Sequence, residues 1–336
     1  MSTVFVLLPV HNRLVFTKRC LLSLKRQTYK KIVTILVDDG STDGTETYIR
    51  KVYPQIQIIK GDGGWWWTKS MYEGVRLALS IGDKNDYVLE MNNDCVFDRD
   101  LVKQLVRTAN KFPSAIIGSL CRDLGNGKDV VEAGIRIDWP TGKVYGVAQT
   151  ISQDINYYKK MDVVVQLDAL PGKGTLIPFR VFSMVGNFNY KRLPHYIADY
   201  EFTNRAKRYG FDLLVDTKAI VWNHWEATGN HSRENSKKTY NQALGLLFGR
   251  RSMNNIVDWV TFVFLACPGK YFWRNLWFSF CRLMVGVLSV FPFYYIKRIT
   301  PHIFKIYFIS LDVSRKLYLS IRSLVSQFSD FKIKEE

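Results

Sequence analysis

The chain has 336 residues, 47% of them hydrophobic, which suffices for a buried core and is compatible with one large α/β domain plus an appendage. Its net charge of +17 is uneven: residues 233–336 carry 16 Lys and Arg against 6 Asp and Glu, so an anionic partner is expected, and the Phe, Trp, Tyr and Leu of that stretch favour lipid over nucleic acid. Five cysteines without a CxxC spacing exclude a disulfide framework and a zinc site and predict reduced thiols in a cytosolic setting; the start, MSTVFVLLPV, reads as a strand and not as a secretory signal.

In chain order, residues 4–10 (VFVLLPV) read as a buried strand closed by His11-Asn12-Arg13, and 14–27 as a helix. A second strand at 32–37 ends in Asp38-Asp39-Gly40-Ser41, and Ser41 or Thr42 can cap a helix running to about Tyr53. A third strand at 56–60 leads through a glycine turn into a helix near 68–81. The fourth, 86–91, ends in Asn92-Asn93-Asp94; a helix at 98–112 and a strand at 115–118 follow. Apolar strands alternating with helices predict a mainly parallel sheet flanked by helices, with ligands beyond the carboxyl ends of the strands. His11-Asn12, Asp38-Asp39, Gly61-Asp62 and Asn92-Asn93-Asp94 all follow strands, so all four are expected along one sheet edge.

Residues 130–178 change character and predict an antiparallel insertion around the turn Trp139-Pro140-Thr141-Gly142. A helix at 199–209 and strand-like segments at 211–216 and 219–222 come next. Residues 256–267 and 276–296 are strongly apolar and aromatic. The first is shorter than the ~20 residues of a bilayer span, and the second is interrupted by Arg282 and Pro292. Interfacial helices are expected; the alternative is a helical packing region buried against the rest of the chain or a dimer partner. Deleting 253–336 should then release the protein from anionic vesicles.

Several residues suit chemistry, each with a plainer reading beside it. Asp94, with the amides of Asn92 and Asn93, can hold Mg2+ or Mn2+, or can simply form a strand-end turn. Asp38 and Asp39 can accept from a base N–H and ribose hydroxyls, or can cap a helix. The run Gly61-Asp62-Gly63-Gly64-Trp65-Trp66-Trp67 cannot bury all three indoles in one core. Trp65 and Trp66 are therefore candidates for a sugar-stacking wall, or else a hydrophobic plug. Lys69 beyond them can meet a phosphate or stay solvated. Asp199 opens a helix, where the dipole favours a carboxylate, and is a candidate general base. Gly172-Lys173-Gly174 can admit a bulky acceptor close to the backbone. His224 can complete a metal shell or pack at a strand end.

Together these stretches resemble glycosyltransferase family 2, which has the GT-A fold. The resemblance rests on LLPVHNR (7–13), SLKRQTY (23–29), VDDGSTDGT (37–45), GDGGWWWTKSMYEGVRLAL (61–79), YVLEMNNDCVF (87–97), PGKGTLIPFRVFSMVGNF (171–188) and YIADYEFTNRAKRYGF (196–211), and covers about residues 3–232. It implies that Pro9, His11, Asn12, Asp38 and Asp39 line a nucleotide pocket, that Asn92-Asn93-Asp94 stands for the DxD metal motif, and that Asp199 is the catalytic base. Asn92 replaces the first acid of DxD, leaving Asp94 as the sole carboxylate ligand. Ala198 stands where an acid is common, and Asp62 where Asn is common.

The implied activity is inverting, metal-dependent transfer of a sugar from a UDP- or dTDP-linked donor to a lipid-linked glycan at the cytoplasmic face of the membrane, as in O-antigen or capsule synthesis. The expected division is a catalytic domain at 1–232 and a basic, aromatic, membrane-associating region at 233–336. A polyprenyl-phosphate sugar synthase and a non-catalytic glycan- or membrane-binding subunit are the alternatives. An oxidoreductase is disfavoured, because no GxGxxG follows the first strand.

Overall fold

The computed structural model describes residues 1–125, 129–223 and 245–288. His224 and the part of the second apolar stretch beyond residue 288 lie outside the described residues. In the first half, β1 (Val4–Val10), α1 (Leu14–Lys25), β2 (Ile32–Asp38), α2 (Thr45–Val52), β3 (Gln57–Lys60), α3 (Trp66–Ile81) and β4 (Tyr87–Glu90) alternate as expected, then a short β5 (Cys95–Phe97) precedes α4 (Leu101–Lys111). Side chains of β1 point alternately to two cores. Val4, Val6, Leu8 and Val10 meet Cys20, Leu21 and Leu24 of α1, while Phe5 and Leu7 meet Met71, Val75 and Ala78 of α3. Burial on both faces is why β1 reads as an unbroken apolar run and not as an alternation.

The second half comprises β6 (Ala115–Asp123), β7 (Val130–Glu132), β8 (Ile135–Asp138), β9 (Lys143–Gly146), α5 (Val147–Thr150), α6 (Ile155–Tyr158), β10 (Val163–Val164), β11 (Thr175–Pro178), α7 (Phe179–Val185), α8 (Ala198–Arg208) and β12 (Asp212–Asn223). The main sheet runs β10-β12-β6-β11-β4-β1-β2-β3, with β5 added to β12 and β7 to β6. Strands β3, β2, β1 and β4 are parallel, β6 and β12 are parallel to each other, and β11 runs against both of its neighbours. The N-terminal end of β11 therefore reaches the edge where β1, β2 and β4 deliver their carboxyl ends.

The expected antiparallel insertion is the β8–β9 hairpin, which turns at 139–142. Residues 130–178 also hold two short helices, and their last strand, β11, belongs to the main sheet. The two strand-like segments at 211–216 and 219–222 are one strand whose register against β6 shifts between Asp216 and Ile220. A bulge there lets Asp216 accept from the Lys218 N–H and the Thr108 hydroxyl.

Two more helices, α9 (Ile256–Ala266) and α10 (Phe272–Leu288), pack onto this hairpin. Phe262 and Ala266 share a core with Ile135, Ile137, Ala169, Ile197 and Tyr200. Asn275 Nδ2 donates to the Trp139 carbonyl at 2.9 Å, and Arg282 donates to the Gly142 carbonyl at 2.6 Å. The start of the region read as a membrane appendage is thus a packed part of the main fold. Among the described residues no helix is long and apolar enough to cross a membrane.

Candidate active site

The turn after β1 is left-handed at both Asn12 (φ 58°) and Arg13 (φ 64°). His11 Nδ1 lies 2.5 Å from the Asp39 carbonyl, which can only accept, so Nδ1 donates to it and Nε2 is the ring nitrogen left for a ligand. Asn12 joins the turns after β1 and β2: its N–H donates to Ser41 Oγ at 2.8 Å, and its Oδ1 accepts from the Thr42 N–H at 2.9 Å. The Asp39 carboxylate accepts from the N–H groups of Gly63, Trp65 and Trp66 at 2.8, 3.0 and 2.9 Å, and so anchors the entry to α3. Asp38 is buried, accepts from the Ser41 N–H at 2.9 Å, and does not line the cavity these turns enclose.

The turn after β4 presents the other expected cluster. Asn92 Oδ1 accepts from Trp67 Nε1 at 3.0 Å, and Asn93 Nδ2 donates to Thr17 Oγ1 at 3.1 Å. Both amides thus have protein partners, and Asp94 is the charged side chain of the turn. Its Oδ2 is 3.5 Å from the Arg13 guanidinium. Among the described residues no three His, Cys, Asp or Glu side chains group as metal ligands. The donor set suits a hard cation completed by phosphate oxygens and not a preformed protein cage.

The three indoles separate, as the sequence required. Trp66 and Trp67 line the cavity; Trp65 does not. Trp65 packs against the core beside α3, and Lys69 Nζ lies 4.5 Å over its ring, so the pairing of Lys69 is with an aromatic face away from the cavity wall. Gly172 is small because of Trp67: a Cβ there would lie 2.5 Å from the indole. The space above Gly172 is therefore filled by protein, where the sequence suggested room for an acceptor. Lys173 lines the cavity and pairs with Glu132 at 2.9 Å. Burial, the largest influence, lowers its pKa, but the charges of Glu132, Cys121 and Cys95 and the hydrogen bond to Glu132 together hold it well above the ordinary value.

Asp199 faces the same cavity from the first turn of α8. Its Oδ2 accepts from the Gly172 N–H at 2.8 Å and its Oδ1 from the Tyr200 N–H at 3.0 Å. Burial raises its pKa, the two N–H bonds hold it down, and the Glu132 charge raises it again; the result is about 6. Beneath it, Glu90 is fully buried, and neither carboxyl oxygen has a partner among the described residues. Burial first, and then the Asp199 charge, push Glu90 well above the usual carboxylate range.

These groups share one cavity of about 850 Å³. Of the non-glycine residues with positive φ among the described residues, Asn12, Arg13, Trp66 and Ile197 all line it, so the backbone strain concentrates where the ligand would bind. Pro9, His11, Asn12, Asp39, Asn92, Asn93, Asp94, Trp66, Gly172, Lys173 and Asp199 come together there; Asp38, Trp65 and Lys69 do not. Trp67, Glu132, His195, Tyr196, Arg251 and Trp259 also line it and were missed. Trp67 had a signal in the triple-Trp run. The others come from the insertion, the segment before α8, the turn at Arg251 and helix α9, and nothing local in the sequence ties those to the sheet edge.

The comparisons with known proteins agree with this arrangement. The Glycosyl transferase family 2 profile matches residues 5–161. The chain is 26% identical over 252 residues to the uncharacterized glycosyltransferase RP339 of Rickettsia prowazekii (strain Madrid E), covering 73% of this chain and 68% of that one. It is 25% identical over 257 residues to the uncharacterized glycosyltransferase RC0461 of Rickettsia conorii (strain ATCC VR-613 / Malish 7), spanning 71% of this chain but only 36% of the relative. Among solved structures, the crystal structure of GalNAc-T7 with UDP, GalNAc and Mn2+ superposes with a TM-score of 0.52 at 13% identity, over 82% of this chain and 54% of the other. That likeness is one of fold, and the fold is that of GT-A glycosyltransferases. Residues 5–161 thus match a glycosyl transferase family 2 domain, and the sheet that contains them is of GT-A type.

Proposed function

We propose that the chain is an inverting glycosyltransferase that moves a sugar from a nucleotide diphosphate onto a hydroxyl of a lipid-linked glycan. One observation carries this reading: Asp199, a carboxylate with a pKa near 6, faces the same cavity as the turns after β1, β2 and β4. In the proposed reaction Asp199 removes the proton from the acceptor hydroxyl, whose oxygen attacks the anomeric carbon from the face opposite the diphosphate. The bond from that carbon to phosphate oxygen breaks, and the diphosphate leaves with the electron pair. A single base and a direct displacement invert the configuration. The N–H donors of Gly172 and Tyr200 hold the carboxylate in place.

Asp94 would hold a divalent cation, Mg2+ or Mn2+, whose charge offsets that of the departing diphosphate. Arg13 beside it supplies a second positive charge. His11 Nε2, Asn12 and the backbone of the Asp39 turn are left to orient the nucleotide. The UDP and Mn2+ bound to GalNAc-T7 are in keeping with this reading. Calorimetric titration with UDP, dTDP, GDP and CDP, each with and without Mn2+, tests it. One nucleotide should bind, and about tenfold or more tightly with the metal, because a lone carboxylate leaves the cation dependent on phosphate oxygens. Failure of all four to bind in either condition would remove the donor site.

We further propose that the protein associates peripherally with a membrane through α10. Trp273, Trp277, Phe280 and Met284 recur at helical spacing on that helix and are 79%, 58%, 50% and 40% exposed. Buried Asn275 and Ser279 mark its inner side, and Lys270 and Arg274 flank the exposed one. Aromatic rings above an anionic headgroup layer are the expected placement for such a helix. The double variant Trp273→Ala, Trp277→Ala should bind vesicles containing phosphatidylserine at least tenfold more weakly while keeping its fold, since both rings are exposed. Unchanged sedimentation with vesicles would remove α10 as the contact.

A further inference from the structure

The charged side chains around the cavity are almost all matched. Asp39 is held by three backbone N–H groups, Asp94 faces Arg13, Glu132 pairs with Lys173, and Asp199 accepts from Gly172 and Tyr200. Arg251 is the exception. Its guanidinium lies over the Trp66 ring, 5.6 Å from the centroid, and among the described residues no carboxylate pairs with it. A cation–π contact of this kind fixes the plane of the guanidinium and leaves its N–H donors free.

The surroundings of Arg251 are those of a ligand subsite. Trp66 and His195 have ring centroids 5.4 Å apart, and His195 and Tyr196 4.3 Å apart; Trp259 lines the same end. Nδ1 of His195 is buried without a hydrogen-bond partner among the described residues. Burial, and then the Arg251 charge, lower the His195 pKa to about 4, so the imidazole is neutral and Arg251 provides the positive charge here. Flat aromatic faces suit the apolar face of a sugar ring, and a guanidinium suits the paired oxygens of a phosphate. The turns that face the proposed nucleotide, at 9–13, 39 and 92–94, fall within the family-matched residues 5–161; His195, Arg251 and Trp259 fall outside them. Trp66 is the member of this cluster that lies within the matched residues.

We propose that Trp66, His195, Tyr196, Arg251 and Trp259 form an acceptor subsite for a sugar that bears a phosphate or diphosphate, with Arg251 binding the anion. This rests on the transferase reading above. The anion is either the diphosphate that joins a glycan to its lipid or a phosphate on the glycan itself. Both present the same oxygens to the guanidinium.

The test uses the full chain saturated with Mn2+ and whichever of UDP, dTDP, GDP and CDP binds it, so that the donor site is closed to the probe. Geranyl diphosphate, glucose 1-phosphate and glucose are titrated calorimetrically into the wild type, Arg251→Gln and Arg251→Lys. At least one phosphorylated probe should bind the wild type more tightly than glucose does. Arg251→Gln should weaken that binding tenfold or more, Arg251→Lys less, and the affinity for the donor nucleotide should change by less than twofold. Preference for geranyl diphosphate would assign the anion to the lipid carrier, and preference for glucose 1-phosphate to the glycan. Equal binding of the phosphorylated probe by wild type and Arg251→Gln overturns the subsite. So does a matching loss of donor-nucleotide affinity, which would put the guanidinium on the donor diphosphate. If none of UDP, dTDP, GDP and CDP binds the wild type, the donor reading falls and the subsite with it; if one of them binds and no phosphorylated probe does, the subsite alone falls.

Discussion

Replacing Asp199 by asparagine is expected to lower sugar transfer by roughly 10²–10⁴-fold, the usual contribution of a positioned general base, while nucleotide affinity stays within about twofold. Asparagine is nearly isosteric, so its Oδ1 can still accept from the Gly172 N–H, whose bond to Asp199 Oδ2 is 2.8 Å long. What it lacks is a basic oxygen. Because Asp199 titrates near 6, the pH dependence of the wild type follows: the group works ionised, so kcat/KM should be level above about pH 6 and fall tenfold per pH unit below it. An ordinary aspartate would hold its activity to near pH 4. The cause of the shift can be tested in the same assay, since burial outweighs the two N–H donors and Glu132 adds to it. Glu132→Gln should move the acid limb to lower pH. A wild-type profile flat down to pH 4.5, or near-normal turnover by Asp199→Asn, would remove the base from its role.

Phe262→Ala is expected to cost about 3–5 kcal/mol, the range for emptying a buried aromatic site. Phe262 is 1% exposed; its ring lies against Trp139 at 5.7 Å and meets Trp259 edge-on at 6.0 Å. At about 2–4 °C per kcal/mol for a domain of this class, the midpoint of thermal unfolding should fall by roughly 10 °C. The same core holds Ile197 and Tyr200, on either side of Asp199, so activity should be lost below the temperature at which the sheet unfolds. This changes how a deletion of 253–336 is to be read. It removes α9 as well as the tail, exposes the face of the β8–β9 hairpin, and takes Met253 and Trp259 from the cavity wall. Loss of vesicle binding by that deletion would report unfolding as readily as membrane release, which is why the exposed Trp273 and Trp277 are the better probes. A thermal shift under 3 °C for Phe262→Ala would show that α9 is not integral to the fold.

Much of the parallel half was legible from local signals. Apolar runs at 4–10 and 32–37, each closed by a polar turn, suffice to predict β1 and β2, because strands buried on both faces have nothing but apolar side chains to show. Parallel pairing then forces the turns after β1, β2 and β4 to one edge, and the register Val10 to Asp38 and Leu7 to Glu90 bears this out. What that reasoning could not resolve was which way a side chain turns within a strand-end loop. Asp38 and Asp39 are adjacent and chemically identical; one is buried under the Ser41 N–H and the other anchors the turn at Gly63 to Trp66 beside the cavity. The choice depends on loop packing, not on residue type.

The family-like order of motifs, the parallel edge, and a carboxylate at the start of the helix at 199 follow from the sequence, since each depends on hydrophobic period, turn chemistry or helix capping within a short window. The separation of Trp66 and Trp67 from Trp65, the filling of the space over Gly172, the buried Glu90 near Asp199, and the return of Trp259 and Arg251 to the cavity belong to the tertiary structure alone. Those features join residues tens to hundreds of positions apart, through antiparallel β11 and through α9 packed on the β8–β9 hairpin. Local periodicity states which face of an element is apolar; which other apolar face it meets is decided only when the whole core closes.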